Sequence, residues 1–303
     1  MFVRESVVIG GREITLETGR IAKQANGAVL ITLGETTALV TAVGADKPRE
    51  GIDFFPLTCE YTERAYAGGK IPGGFFKREG RPREEEVLVC RLMDRPIRPM
   101  FTDGYRNETQ VIATLLSADR SNKPDVLAVT GASAALHISD VPFEGPLAAI
   151  RVGRVGGELI AYPTQEELAE SDLDLVVAAT REAIVMVEGG GDEITEKDLV
   201  DALEFGHQSI LPLIDLQEAM RESVGKPRRE VQPPATNEAL AERVERDYAA
   251  AVDEATKIAV KHERYGRMRE IADEAVEALG EEFPDQEKAI AGLVDGLKKK
   301  IVR

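Results

Sequence analysis

The pattern of apolar and β-branched positions at the start of the chain predicts β-hairpins. Residues 7 to 17 predict two strands joined by a turn at Gly10-Gly11, because glycine supplies the positive φ that a two-residue hairpin loop requires. Residues 29–33 and 36–43 repeat this pattern on either side of Gly34-Glu35, with β-branched residues on both arms. The chain is therefore predicted to open with two hairpins.

Further strands alternate with helices in the next part of the chain. Glu84 to Asp94 predicts a helix, since acidic residues open it, arginines lie near its end, and Pro96 is expected to stop it. Asp125 to Ser139 is rich in small residues, as expected of a helix packed closely against a sheet. The remaining predicted strands lie at about 54–60, 109–117, 147–155, 158–162, 173–179 and 183–188. Strands mixed with helices in this order predict an α+β, mixed-sheet domain.

The periodicity changes after a predicted turn at residues 189–191. Thr195 and Asp198 resemble a capping box and predict a helix that runs to about Glu222. Prolines in 225–234 predict an extended linker. Beyond it, apolar residues three or four positions apart predict a long helix: Leu240, Val244, Tyr248, Ala251, Ala255 and Ile258. With two further helices, broken near 280–284, the predicted organisation is an α+β domain at 1–224, a linker at 225–234 and an all-α domain at 235–303.

Composition agrees with two folded domains. The chain has 303 residues, of which 43% are hydrophobic and 30% charged, a composition that excludes collagen-like, disordered and membrane classes. No apolar run has the ~20 residues of a transmembrane helix, and Glu5 interrupts any signal-peptide pattern. We therefore expect a cytoplasmic protein that does not enter a membrane. A net charge of −16 repels nucleic acid, so any site for a polyanion must be local.

Cysteines and histidines show no ligand spacing. Cys59 and Cys90 lie in apolar surroundings without a CxxC motif, which predicts buried free thiols and no zinc site. His137, His207 and His262 are predicted to be structural histidines whose hydrogen bonds are satisfied. These residues therefore predict no catalytic or metal site.

A basic, glycine-rich stretch at residues 68–83 is the exception to the acidic composition. It holds five basic residues and one acidic residue, with Phe75 and Phe76 followed directly by Lys77 and Arg78. Single-stranded nucleic acid binds to such a combination, because bases stack on the rings while cations meet the phosphates. The alternative interpretation is an ordinary surface loop in which one phenylalanine folds back as a hydrophobic anchor. We also predict that this segment is mobile in the absence of RNA.

Three arginines follow within the next predicted helix and its end. Arg91 and Arg95 lie one helical turn apart on the same face, an arrangement that suits phosphate, whereas Arg98 lies between Pro96 and Pro99, away from that face. The alternative interpretation is that these arginines compensate the helix dipole and pair with neighbouring carboxylates.

Taken together, these segments resemble the first core domain of the bacterial polynucleotide phosphorylase family. The resemblance continues through 131–136, 172–178, 205–207 and 225–228, so that it covers nearly the whole chain. It implies an RNase PH-like core, of the ribosomal protein S5 domain 2-like type, followed by a small all-α domain. The motifs that carry the resemblance are Ile71-Pro72-Gly73-Gly74-Phe75-Phe76-Lys77-Arg78-Glu79-Gly80-Arg81-Pro82 and Arg91-Leu92-Met93-Asp94-Arg95-Pro96-Ile97-Arg98-Pro99.

The resemblance also implies a function. Members of the family are phosphorolytic 3′-to-5′ exoribonucleases that use inorganic phosphate and Mg²⁺, release nucleoside diphosphates, and form a homotrimer around an RNA channel. Single-stranded RNA is the implied partner, and DNA is not expected. The family has arginine where this chain has Lys77, a change from a forked cation to a point charge. The implied RNA-binding residues are Phe75, Phe76, Lys77, Arg78, Arg91, Arg95 and Arg98.

By the same resemblance, catalysis belongs to a second core that would begin where this sequence ends. The serine-rich phosphate cradle of that core is replaced here by Lys123-Pro124-Asp125, and Val176 stands where a lysine should follow Asp174. We therefore expect ring and channel functions, no catalytic or metal-binding residues, and no activity of this portion alone. Two alternatives remain: a free-standing RNase PH-like phosphorolytic enzyme, and a non-enzymatic RNA-binding ring scaffold.

Overall fold

The computed structural model describes residues 1–49, 51–52, 54–231 and 237–302. The chain forms two compact units, 1–233 and 234–303, each with its own hydrophobic core. The end of the predicted linker, 232–234, and the first two residues of the predicted all-α domain lie outside the described residues. The described part of that linker is bound to the first unit, because Lys226 donates its backbone N–H to the carbonyl of Ile138 at 3.0 Å and Arg229 donates its own to that of Asp140 at 2.8 Å.

The first unit has a six-stranded sheet and a four-stranded sheet. In chain order its elements are β1 (Val3–Ile9), β2 (Arg12–Thr18), β3 (Gly27–Leu33), β4 (Thr36–Gly44), β5 (Leu57–Glu63), α1 (Glu84–Ile97), β6 (Thr109–Ser117), α2 (Asp125–Ile138), β7 (Ala148–Val155), β8 (Glu158–Ala161), α3 (Gln165–Glu170), β9 (Leu173–Ala179), β10 (Ile184–Gly191) and α4 (Glu196–Val224). This mixed architecture confirms the predicted α+β class.

The larger sheet has the strand order β1-β2-β3-β4-β6-β5. Its neighbours are antiparallel except for the edge pair β5 and β6, which is parallel. Side chains in β3 alternate between buried and half-buried positions, so that one face of the sheet meets the core. The predicted turn at Gly10-Gly11 is present, with both glycines at positive φ.

Helix α2 lies between the two sheets and packs against both of them. It packs against β3 and β4 of the larger sheet and against β7 of the smaller sheet, whose order is β10-β9-β7-β8. Thirteen of its fourteen residues are buried. Close packing requires Gly131, since a Cβ there would lie 2.7 Å from Val40 Cγ2. The small residues predicted for this helix therefore allow it to pack closely against the sheet.

A buried polar network links α2 to β7 and α4. Ser133 Oγ donates to Gln217 Oε1 at 2.8 Å and accepts the backbone N–H of Leu147 at 2.9 Å. Gln217 Nε2 in turn donates to the carbonyl of Leu147 at 2.9 Å. Both side chains are completely buried, so these bonds satisfy groups that would otherwise be costly to bury. The network fixes the carboxyl-terminal part of α4 beside α2.

Two local predictions for the first unit are wrong. Helix α1 does not stop before Pro96 but continues to Ile97, because both residues are buried and tertiary packing outweighs the missing N–H donor. Residues 189–191 form the end of β10 rather than a turn. A Cβ at Gly189 would lie 2.3 Å from the carbonyl oxygen of Asp174, so glycine here permits close strand approach.

The second unit consists of α5 (Glu238–Thr256), α6 (Lys261–Leu279) and α7 (Glu287–Val302). Leu240, Val244 and Ala255 of the predicted apolar stripe are buried, whereas Ile258 follows the end of α5. The side chain of Asn237 caps α5 by accepting the backbone N–H of Leu240 at 3.2 Å. None of the helices in the described ranges has the length and apolarity needed to cross a membrane.

Candidate nucleic-acid interface

Residues 68–83, here called the aromatic loop, connect β5 to α1. A short 3₁₀ turn at Ala65–Gly68 precedes the loop, and Ala67 is buried and accepts the backbone N–H of Ala118 at 3.0 Å. Across the base of the loop, the backbone N–H of Ala65 donates to Glu79 Oε1 at 2.9 Å. From Gly73 to Arg83 every residue is exposed, so the loop is held at its base and projects into solvent.

Phe75 and Phe76 lie at the tip of the aromatic loop. Their side chains are 94% and 78% exposed, and the rings contact each other edge to face with centroids 5.4 Å apart. Neither ring folds back into the core, so the anchor interpretation does not describe this conformation. Exposed aromatic faces are available for bases to stack on. The predicted mobility of the loop stays a prediction.

Most cations of the aromatic loop have no carboxylate partner. In the described part of the chain, Lys70, Lys77, Arg78 and Arg81 are exposed and form no ion pair. Arg83 differs, because its guanidinium contacts Glu63, Glu85 and Glu86. The loop therefore presents four unpaired cations beside two exposed rings.

Glu86 fixes the junction between the aromatic loop and α1. Its carboxylate, 6% exposed, accepts the backbone N–H of Arg83 at 2.7 Å and that of Glu63 at 2.8 Å. Burial alone would raise the pKa of Glu86, but these two N–H donors and the Arg83 guanidinium outweigh it and lower the pKa. A charged, hydrogen-bonded carboxylate thus secures the base of an otherwise open loop.

The three predicted arginines of the α1 region have different surroundings. Arg91 is exposed, and no ion pair to it occurs in the described ranges. Arg95 pairs with Glu188 of β10 at 2.7 Å, both side chains being half exposed. Arg98 binds both oxygens of Asp94 and donates at 3.2 Å to each of the carbonyls of Phe55 and Leu57. Only Arg91 matches the loop in having an unengaged guanidinium.

A cleft of about 1020 Å³ lies near α1, between the first turn of α2 and strands β7, β9 and β10. We call it the Arg151 cleft. The guanidinium of Arg151 contacts Asp125 and Asp174, and Lys123 Nζ lies 3.8 Å from Asp174 Oδ2. Burial would lower the pKa of Arg151, but the two carboxylates outweigh it and raise the pKa. The carboxylates that line the cleft are Glu63, Glu85, Asp119, Asp125, Asp172, Asp174, Glu188 and Asp192.

The charged groups at the centre of the Arg151 cleft are engaged within the chain. Asp125 occupies the first turn of α2 and accepts the backbone N–H of Val126 at 2.8 Å, so a carboxylate of the chain fills a position suited to an anion. Asp174 lies within β9 and pairs with Arg151. Over the described residues, no three His, Cys, Asp or Glu side chains converge to hold a metal ion.

Arg151 was missed by the sequence analysis although the sequence carries a signal for it. It interrupts the apolar run Ala148-Ala149-Ile150-Arg151-Val152, and a charged residue in a strand buried on both faces requires a partner. That pattern predicts a buried ion pair. The identity of the partners, from α2 and β9, depends on the tertiary fold.

The cysteines and histidines differ in detail from their predictions. Cys59 and Cys90 are free as predicted but only half-buried, and burial raises the pKa of Cys59 to about 12. His207 Nε2 lies 3.0 Å from the carbonyl of Thr180. His137 Nδ1 is buried without a hydrogen-bond partner in the described structure, so the prediction of a satisfied histidine is wrong at this position.

Comparison with family models gives a consistent match along the chain. Residues 10–142 match the model described as 3′ exoribonuclease family, domain 1, and residues 145–209 match domain 2 of the same family. Residues 239–303 match the model described as polyribonucleotide nucleotidyltransferase, RNA binding domain. The three matches follow one another in the order of the two structural units.

Curated relatives carry one name. The chain is 57% identical over 287 residues to a polyribonucleotide nucleotidyltransferase of Sorangium cellulosum, covering 93% of this chain and 37% of the relative. It is 50% identical over 298 residues to that of Geobacter sulfurreducens, covering 98% of this chain and 43% of the relative. The chain therefore spans less than half the length of these relatives.

A solved structure supports the fold of the first unit. The crystal structure of rice Rrp46 aligns with 72% of this chain and with 94% of its own length, at a TM-score of 0.55 and 15% sequence identity. At this level of identity the likeness concerns the arrangement of helices and strands. It agrees with the RNase PH-like core implied by the sequence.

Proposed function

Because the chain belongs to the polyribonucleotide nucleotidyltransferases of the 3′ exoribonuclease family, we propose that it is the RNA-guiding part of a phosphorolytic 3′-to-5′ exoribonuclease. The complete enzyme uses inorganic phosphate to cleave the 3′-terminal phosphodiester of RNA and releases a nucleoside diphosphate. Mg²⁺ assists this step in a second core. The enzyme is a cytoplasmic homotrimer around an RNA channel, and its ligand is single-stranded RNA rather than DNA.

The exposed pair Phe75 and Phe76 is the observation that carries this proposal. The rings stack on successive bases, while Lys77 and Arg78, which have no carboxylate partner, meet the phosphates. Arg91 extends this surface along α1. Arg95 and Arg98 bind RNA less strongly than Arg91, because each must first release a carboxylate partner.

The Arg151 cleft supports a division of labour within the enzyme. Arg151 neutralises Asp125 and Asp174 internally, so that neither carboxylate is available for a metal ion. An incoming phosphate would meet a carboxylate-lined wall. We therefore expect this chain to hold RNA without cleaving it.

The test of the aromatic pair is an RNA-binding titration. Fluorescence anisotropy with a labelled single-stranded oligoribonucleotide compares the parent chain with the Phe75→Ala/Phe76→Ala variant. Loss of stacking should weaken binding by ~1–3 kcal/mol per stacked base. Phe54→Ala is the matched control, since Phe54 is also an exposed phenylalanine, 62% exposed, but lies outside the loop. Equal weakening by both changes would refute the assignment to the loop.

The absence of chemistry is tested on the same chain. Incubation with oligoribonucleotide, inorganic phosphate and Mg²⁺ should release no nucleoside diphosphate. A phosphate-dependent release that Asp174→Ala abolishes would instead support the free-standing phosphorolytic enzyme. RNA binding without release of nucleoside diphosphate agrees with the proposal. A chain that does not bind RNA at all would contradict it.

A further inference from the structure

A second cleft lies on the first unit where α2 and α4 end. Its volume is about 510 Å³, and the chain after α4 closes one side of it. The backbone N–H of Lys226 donates to the carbonyl of Ile138, the last residue of α2, at 3.0 Å. The cleft is lined by His137, Glu218, Arg221, Glu222, Gly225, Lys226 and Pro227.

His137 lines this cleft and carries an unsatisfied polar atom. The residue is 5% exposed, and its Nδ1 is buried without a hydrogen-bond partner in the described structure. Burial, together with the positive charges of Arg221 and Arg228, lowers the pKa of His137 to about 4. A buried imidazole nitrogen without a partner is uncommon and indicates a position for a further group.

Cations accumulate around His137 without matching carboxylates. Arg221 donates to the carbonyl of His137 and, at 3.3 Å, to that of Lys226, but forms no ion pair in the described structure. Burial and the charge of Arg228 lower the pKa of Arg221. The side chains of Lys226 and Arg228 are exposed, and neither pairs with a carboxylate among the described residues. Two cations without an ion pair in the described structure, Arg221 and Lys226, thus line the cleft, and the charge of Arg228 acts on His137 and Arg221.

The carboxylates near the cleft do not neutralise it. Glu218 is bound to Arg181 at 2.8 Å. Glu222 lines the cleft but is exposed and forms no ion pair in the described structure, and the charge of Glu144 raises the pKa of Arg228, against the lowering by burial. In the Arg151 cleft, by contrast, carboxylates contact the arginine directly. An anion from solution would therefore provide the negative charge that these cations lack within the described structure.

We propose that the cleft lined by His137, Arg221 and Lys226, with the charge of Arg228 acting on His137 and Arg221, is a binding site for a phosphate-bearing anion. Arg221 and Lys226 provide charge-assisted donors in the cleft, Arg228 adds positive charge that acts on Arg221, and the His137 ring lines the cleft beside them. The phosphate belongs either to a free ion or to the backbone of RNA. This site is distinct from the aromatic loop and does not depend on it.

The histidine rings report binding directly. In the full chain labelled with ¹⁵N-histidine, His137 should shift and saturate as inorganic phosphate or pyrophosphate is added. His207 and His262 serve as internal controls and should not move. A second titration uses a single-stranded oligoribonucleotide without terminal phosphates. Saturation by phosphate identifies a free ion, and saturation by the oligoribonucleotide alone identifies the RNA backbone.

Variants separate specific binding from general attraction. Lys226→Gln/Arg228→Gln should weaken the ligand affinity read from the His137 signal at least tenfold. The double change removes no side-chain hydrogen bond found in the described residues. Lys23→Gln/Arg106→Gln removes the same charges at exposed positions elsewhere and should leave the response unchanged. Glu222→Gln, which removes a negative charge from the lining, should strengthen ligand binding. The proposal would be overturned if the His137 signal responded to neither ligand. It would also be overturned if the signal of the Lys226→Gln/Arg228→Gln variant responded as strongly as that of the Lys23→Gln/Arg106→Gln control.

Discussion

The aromatic loop and the Arg151 cleft, both in the first unit, differ in whether their cations are paired with carboxylates of the chain. In the loop, four of five cations are exposed without a carboxylate partner in the described structure. In the cleft, Arg151 is buried between Asp125 and Asp174, and its charge is satisfied within the chain. A count of basic residues does not separate these cases. The pairing of each cation decides whether a ligand can use it.

The same contrast occurs along α1 and the turn that follows it. Arg91 has no partner in the described ranges, whereas one turn and two turns further along Arg95 and Arg98 are paired with Glu188 and Asp94. A phosphate that binds Arg98 must replace a bidentate carboxylate and contacts to two carbonyls. Position on a helix face is therefore insufficient to define a phosphate contact.

The largest effect is expected when the paired arginine is removed. Arg151→Met leaves Asp125 and Asp174 without their shared cation, and breaking a buried pair in this way should lower the free energy of unfolding by ~3 kcal/mol. Urea unfolding followed by circular dichroism measures the change. Arg120→Met, at an exposed arginine without an ion pair in the described structure, should change stability by less than ~0.5 kcal/mol. Equal stability of the two variants would show that the cleft network is not structural.

A smaller loss is expected at the base of the aromatic loop. Glu86→Gln removes the charged acceptor of two backbone N–H groups and should cost ~1–2 kcal/mol at neutral pH. Glu84→Gln is the control, because Glu84 is exposed and unpaired in the described part of this helix.

The pH dependence sharpens this test. The pKa of Glu86 is lower in the folded chain than its ordinary value of 4.5, so the unfolded state binds the proton more readily. The stabilisation is complete above that ordinary value and is lost as the pH falls through the folded pKa. The stability difference between the parent chain and Glu86→Gln should therefore shrink in acid. A constant difference at all pH values would contradict the charged role of Glu86.

Much of this molecule follows from local sequence patterns. The strands at 109–117 and 173–179 agree with the structure to the residue, because alternating or continuous apolar runs with β-branched residues define them. Errors occur where distant residues override the local pattern. Pro96 remains helical because the core buries it, and Gly189 to Gly191 extend a strand because β9 lies too close for a side chain.

In the candidate interface too, some features follow from local sequence and others depend on distant residues. Phe75, Phe76 and Lys77 are exposed as the loop composition suggested, since a glycine-rich segment held only at its base has little to pack against. The engagement of Arg98 with Phe55 and Leu57 joins positions more than forty residues apart in sequence. Local spacing carries no information about such a contact.

Removal of charge at the loop tip should change the salt dependence of RNA binding. Lys77→Gln/Arg78→Gln removes two phosphate contacts, so the slope of log affinity against log salt should flatten by about 1.4, or ~0.7 per contact. Stability should not change, because neither cation has a partner in the described structure. Lys23→Gln/Arg106→Gln removes equal charge elsewhere and should keep the slope. An unchanged slope in the loop variant would remove these two cations from the interface.

The smallest effect separates Arg91, within α1, from Arg98, directly after its end. Arg91→Gln should flatten the salt slope by ~0.7 and leave stability unchanged, because its guanidinium is free to meet a phosphate. Arg98→Gln should do the reverse: the slope stays constant, while the lost bonds to Asp94 and two carbonyls lower the free energy of unfolding by ~1 kcal/mol. Anisotropy titrations at several salt concentrations, beside urea unfolding of both variants, measure the two quantities. A flattened slope with Arg98→Gln would mean that RNA displaces the carboxylate, and pairing within the chain would then no longer predict which cations bind.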